Sequence, residues 1–247
     1  MQINSFYFGK KLNLMEQLTI VSFLNQGHSF KLYTYDNNIC DIKHNSFNII
    51  DANEILDKKY FFTYDGKGDC PANSVGGFSD IFRFSILEKN QGWYVDMDVT
   101  CLKDFNHLDQ LPCVFRPNKN YGAVANIIKC ENKQLISEIL AQYKECITPM
   151  NNEWVKPLNI FYELIKNHNL ENYIIDKKIF GDDNASDLLN FINKNIYELN
   201  NVPEYAIHWC NTACTTASWN KRLKIDWNNP RPASLYYCLL KKNGLIN

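Results

Sequence analysis

Residues 78–99 read FSDIFRFSILEKNQGWYVDMDV, and this stretch decides the fold. The Ser-Asp pair at 79–80 is typical of a helix N-cap, and the run behind it predicts a helix over 81–88. The turn residues at 90–92 end that helix. The apolar run at 93–99 then predicts a buried strand that carries two aspartates. A helix, a tight turn and a strand therefore follow one another directly.

The chain before this stretch shows a pattern of strand, helix and strand. Residues 3–9 predict a short strand ended by glycine, residues 13–24 predict a helix, and the alternating residues 30–35 predict a second strand. A weaker pattern predicts a further strand at 47–50 and a short helix at 52–56. Such units favour a parallel sheet whose ligands bind at the carboxyl ends of the strands. The sequence therefore predicts the α/β class.

The rest of the chain contains a glycine-rich segment, two more strands and several helices. Residues 63–77 predict a loop, which is a candidate lid that excludes water from a site. Residues 113–115 and 123–128 predict a strand pair. Helices are predicted at 133–146, 159–167 and 186–194. Because the tail from residue 205 is less regular, we expect one α/β domain with an irregular, helical C-terminal lobe.

The composition is that of an ordinary globular protein. Of the 247 residues, 45% are hydrophobic and 21% are charged. Lysine and arginine total 26 against 27 acidic residues, so the net charge is -1. This balance gives no electrostatic reason for a polyanionic partner, and we expect no nucleic-acid binding.

Cysteine usage and hydropathy bear on where the protein works. Nine cysteines without a Cys-x-x-Cys pair, and no secretory leader at Met1, favour a reducing cytosol. No apolar run approaches the roughly 18 residues that a membrane span needs. The basic, apolar segment 236–242 could rest on a membrane surface, or it could be a packed terminal helix. We expect a cytoplasmic protein, with peripheral contact at the inner face of the cell membrane as an option.

Two aspartates end the strand predicted at 93–99. Asp96 and Asp98 are two residues apart, so on an extended chain both carboxylates point the same way, with backbones about 6.5 to 7 Å apart. Carboxylate oxygens suit Mg²⁺ or Mn²⁺, and such ions keep coordination positions for a substrate diphosphate. The alternative is that both acids are solvated strand-end residues, because an Asp-x-Asp triplet is common by chance.

Asp80 and Arg83 are three residues apart and lie on one face of the predicted helix. One interpretation is a surface ion pair, which contributes little to stability. The other is functional, because a guanidinium binds a diphosphate or sugar hydroxyls well beside a metal ion. The helix leads directly into the strand that carries Asp96, which favours the functional interpretation.

The whole block 78–99 resembles the SD-x-x-R … GG-x-Y-x-D-x-D signature of GT-A glycosyltransferases. The similar families are sugar transferases with a DXD motif, capsular polysaccharide synthesis enzymes and the glucosyltransferase domains of large bacterial toxins. Residues 5–9 resemble the first strand of that fold, and residues 22–36 resemble its second βα unit. The C-terminal third departs from the pattern except at 206–209, and Gln91 stands where the signature has a glycine.

This resemblance implies a GT-A-like, Rossmann-type mixed sheet flanked by helices. It implies a single glycosyltransferase domain over residues 1–247. About 1–130 would form the nucleotide-sugar-binding core, and about 131–247 would form the acceptor side and the C-terminal lobe.

The resemblance also implies roles for individual residues. Asp98 would bind the metal directly, whereas Asp96 would contact the ribose or sugar and the metal shell. Asp80 and Arg83 would hold the donor sugar and diphosphate. The implied catalytic residues are Asp80, Arg83, Asp96 and Asp98. The implied nucleotide-sugar contacts are Tyr7, Phe8, Tyr35, Ser79, Asp80, Arg83, Tyr94 and Asp96, with aromatic rings stacked on the base.

His208 has two interpretations. A lone histidine after an apolar pair is usually a satisfied core or surface residue. The alternative is that His208 completes the metal or diphosphate site, as C-terminal histidines do in some related retaining transferases. The implied metal set is therefore Asp96, Asp98 and His208, with Mn²⁺ or Mg²⁺ as the cofactor.

The function implied by the resemblance is a metal-dependent, retaining hexosyltransferase. Its donor would be a nucleotide diphosphate sugar, with UDP preferred, and its acceptor a saccharide or glycolipid of a bacterial surface glycan such as capsule or lipopolysaccharide. The metal would neutralise charge on the departing diphosphate.

Two other functions remain open at this point. In a phosphatase of the haloacid dehalogenase type, Asp96 would attack phosphorus, Asp98 would act as general acid, and the two acids of Gly181-Asp-Asp183 would hold the metal. Against it, that nucleophile strand normally opens its fold, whereas here about 90 residues precede it. A sugar-nucleotide-binding module without catalysis would keep the aromatic slot but need neither acid.

Overall fold

The computed structural model describes residues 1–36, 39–89, 92–151, 153–181, 188, 191–192, 202–211 and 225–247. Six of the nine residues of the helix predicted over 186–194 fall outside these residues. So do Gln91 and the acids at 182–183 that a phosphatase would use.

The described part of the chain alternates strands and helices. The strands are β1 (Gln2–Phe6), β2 (Ser29–Thr34), β3 (Phe47–Asp51), β4 (Trp93–Val95), β5 (Val99–Cys101), β6 (Cys113–Asn118), β7 (Gly122–Cys130) and β8 (Ala206–His208). The helices are α1 (Leu14–Asn25), α2 (Gly76–Lys89), α3 (Lys133–Cys146), α4 (Lys156–Asn167), α5 (Lys177–Phe180) and α6 (Leu235–Lys242). Short 3₁₀ turns lie at 52–54, 58–60, 106–110 and 171–173.

Six strands form one mixed sheet in the order β3, β2, β1, β4, β7, β6. The neighbouring pairs among β3, β2, β1 and β4 are parallel, whereas β7 runs antiparallel to both β4 and β6. The mixed sheet flanked by helices that the sequence predicts is therefore confirmed. From β1 the sheet extends through β2 to β3 on one side, and from β4 it extends through β7 to β6 on the other. The order changes direction between β1 and β4, and α/β proteins bind ligands at the carboxyl ends of strands at such a point.

Helices cover both faces of this sheet because β-strand side chains alternate between the faces. Trp93 and Val95 of β4 are buried in the core on the α1 side, together with Phe23. Tyr94 points to the other face and joins the core formed with α2, α3 and α4, which includes Phe82. The continuous apolar strand WYV is thus buried on both sides.

The C-terminal segment packs on the outer side of α1. Tyr236 and Leu240 of α6 are buried against Met15 and Leu18 of α1, and Trp209 lies in the same cluster. The apolar side of α6 is therefore buried against the rest of the protein. Of the two interpretations of the segment 236–242, this is the packed terminal helix. No helix in the described residues combines the length and the apolar character that crossing a membrane requires.

The strand predicted at 93–99 is wrong in one respect, because it is two strands separated by a turn. β4 ends at Val95, and the Asp96 N–H donates to the Asn126 main-chain oxygen at 2.9 Å as a last link to β7. The chain then turns, and β5 leaves the main sheet to pair antiparallel with β8. The geometry of an extended chain therefore does not apply to Asp96 and Asp98.

The start of α2 also differs from the prediction. The helix begins at Gly76, so Ser79 and Asp80 lie inside its first turns and are not N-cap residues. The Asp80 carboxylate accepts a hydrogen bond from Arg83 one turn later instead. Because the Asp80 carboxylate is paired with Arg83, it does not cap the helix. The helix instead begins in the last residues of the glycine-rich segment 63–77.

Candidate functional site

The predicted acidic and basic residues meet at the carboxyl edge of β1 and β4. Asp96 and Asp98 lie in the turn after β4, Arg83 reaches them from α2, and His208 reaches them from β8. Because β8 pairs with β5, Val99 lies opposite His208 and brings the histidine next to Asp98. The structure thus joins a contiguous sequence motif to a residue more than 100 positions later.

Arg83 holds two carboxylates in one buried network. One terminal guanidinium nitrogen donates to Asp80 Oδ1 at 2.8 Å, and the other donates to Asp96 Oδ1 at 2.7 Å. The guanidinium carbon lies 5.1 Å from the centroid of the Tyr94 ring, which is fully buried beneath it. Since only 7% of Arg83 is exposed, the surface ion pair considered above is wrong.

Burial controls the electrostatics of this network. Burial raises the pKa of Asp80 to about 6, the Arg83 charge opposes that rise, and the Asp96 charge adds to it. The pKa of Asp96 is also raised by burial, with Arg83 opposing and Asp98 adding to the rise. Burial lowers the pKa of Arg83, but the carboxylates of Asp96 and Asp80 outweigh it and raise that pKa overall. The guanidinium therefore stays charged.

Asp98 is held by the segment that follows β8. Its Oδ1 lies 3.3 Å from His208 Nε2, and its Oδ2 accepts a hydrogen bond from the Asn211 N–H at 2.8 Å. Its main-chain oxygen accepts from the Trp209 N–H at 2.8 Å. Two contacts from 208–211 thus hold the carboxylate of Asp98, and a third holds its main chain.

Asp96, Asp98 and His208 form a group that could hold a cation. One donor atom from each lies within 4.8 Å of the donor atoms of the other two. Two carboxylates and one imidazole are suitable ligands for a divalent ion such as Mn²⁺. These residues fit the cofactor that the sequence predicts, and the group brings together all three predicted metal ligands.

Two residues beside this group were missed by the sequence analysis. Asn126 of β7 donates from Nδ2 to His208 Nδ1 at 2.8 Å. The signal was present, because Asn126 is the polar residue in the apolar run AVANII. Glu16 is buried at the N-terminus of α1 and closes a capping box with Asn13, whose N–H donates to Glu16 Oε2 at 2.7 Å. Burial raises the pKa of Glu16 to about 7, and the charge of Asp98 contributes to the rise.

The structure separates the predicted base-binding aromatics. Phe8 is 41% exposed and stacks on Phe61 with ring centroids 4.0 Å apart, and Tyr35 meets the edge of Phe61 at 6.4 Å. Tyr7 belongs to a different cluster from Tyr35, and its hydroxyl donates to the Lys11 main-chain oxygen at 2.8 Å. Phe8 and Tyr35 therefore come together through Phe61, which the sequence analysis did not single out, and Tyr7 does not join them.

Ser79 and Tyr94 lie behind the charged network. Tyr94 is fully buried, and burial raises the pKa of its hydroxyl well above the ordinary value. Ser79 lies on the first turns of α2, and the Tyr94 hydroxyl has no hydrogen-bond partner among the described residues. Tyr94 is thus placed to support Arg83 from below.

Comparison with known protein families identifies a match for the segment that carries the acidic and basic motif. Residues 16–114, less than half of the chain, match the family described as the glycosyltransferase sugar-binding region containing a DXD motif. The matched segment includes Asp80, Arg83, Asp96 and Asp98 and ends before His208. The predicted resemblance to DXD glycosyltransferases is confirmed over this segment, and with it the prediction of a transferase. The phosphatase alternative receives no support.

Solved structures of glycosyltransferases are similar to the chain. The PaToxG glycosyltransferase shares 15% identity at a TM-score of 0.43, over 68% of this chain and 69% of that one. The apo bifunctional glycosyltransferase WbbM shares 9% identity at a TM-score of 0.48, over 85% of this chain and 45% of that one. The chain thus spans less than half the length of WbbM. No curated protein matches the chain.

Proposed function

We propose that this glycosyltransferase moves a hexosyl group from a UDP-sugar to a hydroxyl of a saccharide or glycolipid acceptor, with a divalent cation and with retention of configuration. The proposal is carried by one observation: Asp96, Asp98 and His208 lie together beside the buried Arg83 network after β4. A cation held there would stabilise the charge of a departing diphosphate.

Asp98, His208 and Asp96 would hold the cation, whose positive charge would stabilise the diphosphate as it leaves. Mn²⁺ fits this set better than Mg²⁺. The imidazole of His208 offers a nitrogen ligand, whereas Mg²⁺ takes oxygen ligands and retains several waters. We therefore assign Mn²⁺ to the site.

Arg83 acts chiefly on the two acids that it binds. Its terminal nitrogens already donate to Asp80 and Asp96, so the guanidinium fixes where these carboxylates point. About a quarter of each acidic side chain is exposed, 24% for Asp80 and 25% for Asp96. Their remaining lone pairs can accept hydrogen bonds from the hydroxyls of the donor sugar. This orients the sugar over the diphosphate.

The nucleoside end of the donor would lie against Phe8. Its ring is the exposed member of the stacked pair with Phe61, and an aromatic face adds stacking energy for a planar base. Tyr35 supports this pair from the side, and its hydroxyl is already bound to the Leu56 main-chain oxygen.

In the retaining step, the acceptor oxygen bonds to the anomeric carbon from the face that the diphosphate leaves. The bond between that carbon and the diphosphate oxygen breaks, and the acceptor proton passes to the departing diphosphate. The protein itself makes no covalent bond. Binding and orientation by Asp80, Asp96 and Arg83 supply its part of the rate.

The acceptor would approach from the side formed by residues 131–247, and the division of the chain at about residue 130 belongs to this proposal. A role in a bacterial surface glycan follows from the resemblance alone. The buried apolar side of α6 argues against membrane contact through the segment 236–242.

Release of nucleoside diphosphate tests the proposal. The protein is incubated with Mn²⁺ and a panel of nucleotide sugars, with water or added oligosaccharides as acceptor. We expect UDP release, and a drop of about 10³-fold in Asp98→Asn because the cation is lost. Asp41→Asn, an exposed aspartate outside the site, is the matched control and should keep full activity.

Other outcomes would identify another function. Phosphate release from a phosphomonoester without diphosphate release would support the phosphatase. Measurable donor binding with no turnover on any acceptor, in water or with saccharides, would support a module without catalysis. Either result overturns the proposal.

A further inference from the structure

Asn126 contacts two of the three residues in the candidate cation site. Its main-chain oxygen accepts the Asp96 N–H at 2.9 Å, and its side-chain Nδ2 donates to His208 Nδ1 at 2.8 Å. The residue is buried, with 6% of its surface exposed. One residue of β7 thus links the turn after β4 to the histidine of β8.

An irregularity in the sheet lies where Asn126 is found. Phe115 of β6 pairs with Ile128, but the next residue, Arg116, pairs with Val124. Residues 125–127 are therefore extra on β7 and form a bulge. Bulges bend a strand and redirect its side chains, and they occur often beside active sites.

Only one of the two polar atoms of the Asn126 amide has a hydrogen-bond partner among the described residues. Because Nδ2 donates to His208 Nδ1, the proton of a neutral His208 ring is on Nε2, which faces Asp98 Oδ1 at 3.3 Å. The Asn126 Oδ1 atom is buried and has no hydrogen-bond partner among the described residues. A buried, unpaired amide oxygen is costly, so its retention needs a reason.

Cation binding supplies that reason. If His208 binds a cation through Nε2, that atom must offer its lone pair, and the ring proton must move to Nδ1. Nδ1 then needs an acceptor, and histidine ligands usually find one in a neighbouring oxygen. A half-turn of the Asn126 amide places Oδ1 where Nδ2 was.

We infer that Asn126 is a positioning residue whose amide reverses to fix the His208 tautomer that binds the cation. The inference rests on the proposed function, because it takes the site to bind Mn²⁺. Cys210 also approaches His208, with its sulfur 3.3 Å from Nδ1. A thiol is a weak partner, so the amide decides the tautomer.

Mn²⁺ binding without donor sugar tests the inference, with free Mn²⁺ measured by its electron paramagnetic resonance signal. Asn126→Leu removes both polar ends, and we expect the dissociation constant to rise about 10- to 100-fold. Asn126→Asp keeps an acceptor and should bind Mn²⁺ at least as tightly as wild type. Asn4→Leu is the matched control, because Asn4 is a fully buried sheet asparagine whose amide binds the Trp93 main-chain oxygen. Its Mn²⁺ affinity should change less than about twofold.

Coupling to His208 separates positioning from general damage. In a His208→Ala background, Asn126→Leu should change Mn²⁺ affinity less than about twofold, because it has no histidine to act through. Nitrogen-15 spectra of the histidine ring provide a direct signature with Zn²⁺ as a diamagnetic probe. We expect the Nε2–H tautomer without metal and the Nδ1–H form with Zn²⁺. If Asn126→Leu does not fold, Asn126→Asp and these spectra still test the inference.

Three results would overturn it. They are unchanged Mn²⁺ affinity in Asn126→Leu, an equal loss with and without His208, and a ring that keeps its proton on Nε2 when Zn²⁺ binds. In each case wild-type protein still binds Mn²⁺, so the proposed function stands. Wild-type protein that binds no Mn²⁺ would instead overturn both the inference and the metal in the proposed function.

Discussion

The candidate site has two halves that form in different ways. The Arg83 half consists of Asp80, Arg83 and Asp96, which lie within one helix and one strand end. The His208 half joins Asp98 to residues 208–211 through the pairing of β5 with β8. The first half comes from one contiguous motif. The second half depends on tertiary pairing between segments far apart in the chain.

The two halves also differ in how charge is balanced. In the Arg83 half, one buried guanidinium faces two carboxylates, so the group is tightly coupled. In the His208 half, Asp98 is held by an imidazole and a main-chain N–H. The first arrangement is fixed by strong ionic contacts. The second places an imidazole and a carboxylate where a cation can bridge them.

The largest effect is expected from breaking the Arg83 half. Arg83→Leu leaves Asp80 and Asp96 without their shared cation in a largely buried place. We expect an activity loss of about 10³-fold and a loss of unfolding free energy of about 2 to 3 kcal/mol, below the fully buried case because the acids are a quarter exposed. Urea unfolding and diphosphate release measure the two effects.

Arg231→Leu is the matched control for this change, because Arg231 is exposed and far along the chain. It should leave both quantities within the scatter of the wild type. If Arg83→Leu lost activity without losing stability, the network would be catalytic but not structural. The contrast between the two halves would then be wrong.

A change of intermediate size is expected from Glu16, which lies behind the His208 half. Its pKa in the folded protein is about 7, above the ordinary value near 4.5. Below pH 4.5 the Glu16 carboxyl is protonated in both the folded and the unfolded protein. As the pH rises to 7, this carboxyl ionises more readily in the unfolded protein. Stability therefore falls across this window, by about 1 to 3 kcal/mol.

Glu16→Gln sharpens this prediction because glutamine can still close the capping box with Asn13. Urea unfolding between pH 4.5 and 8, in the presence of a chelator, should give a flatter profile for the variant than for wild type. Parallel profiles for the two proteins would mean that Glu16 is not the group responsible.

The smallest change is expected from the pairing that builds the His208 half. Thr100 Oγ1 accepts a hydrogen bond from the Trp209 indole N–H at 2.7 Å, and both residues are fully buried. Thr100→Val removes this buried hydrogen bond, so we expect a loss of about 1 to 2 kcal/mol in unfolding free energy. Thermal unfolding measures it, with the exposed Thr148→Val as control. A variant as stable as wild type would show that this contact does not hold β5 to β8.

Much of the fold could be predicted because local signals were strong. The prediction for α3 at 133–146 matches the structure at both ends, since Asn132 caps a helix with one clear apolar face. The strands β1 to β3 were also found from alternation and turn residues. These features depend on neighbours in sequence, which is the information that a single chain provides.

The parts that could not be predicted depend on distant contacts. The break after Val95 is invisible in sequence, because WYVDMDV is continuous and the partner of β5 lies more than 100 residues away. The separation of Tyr7 from Phe8 depends on the path of the chain after β1 ends. Asn126 reaches His208 from a bulged stretch of β7. Local patterns contain none of this.

The position of Trp209 gives the site a native optical reporter. Its indole lies in a buried aromatic cluster with Trp227 and Tyr236, while its main-chain N–H is bonded to Asp98. Paramagnetic Mn²⁺ quenches nearby indole emission, so occupancy of the site should be visible as a loss of fluorescence without any attached dye. Zn²⁺, which lacks unpaired electrons, would separate quenching from a shift caused by altered packing around the ring.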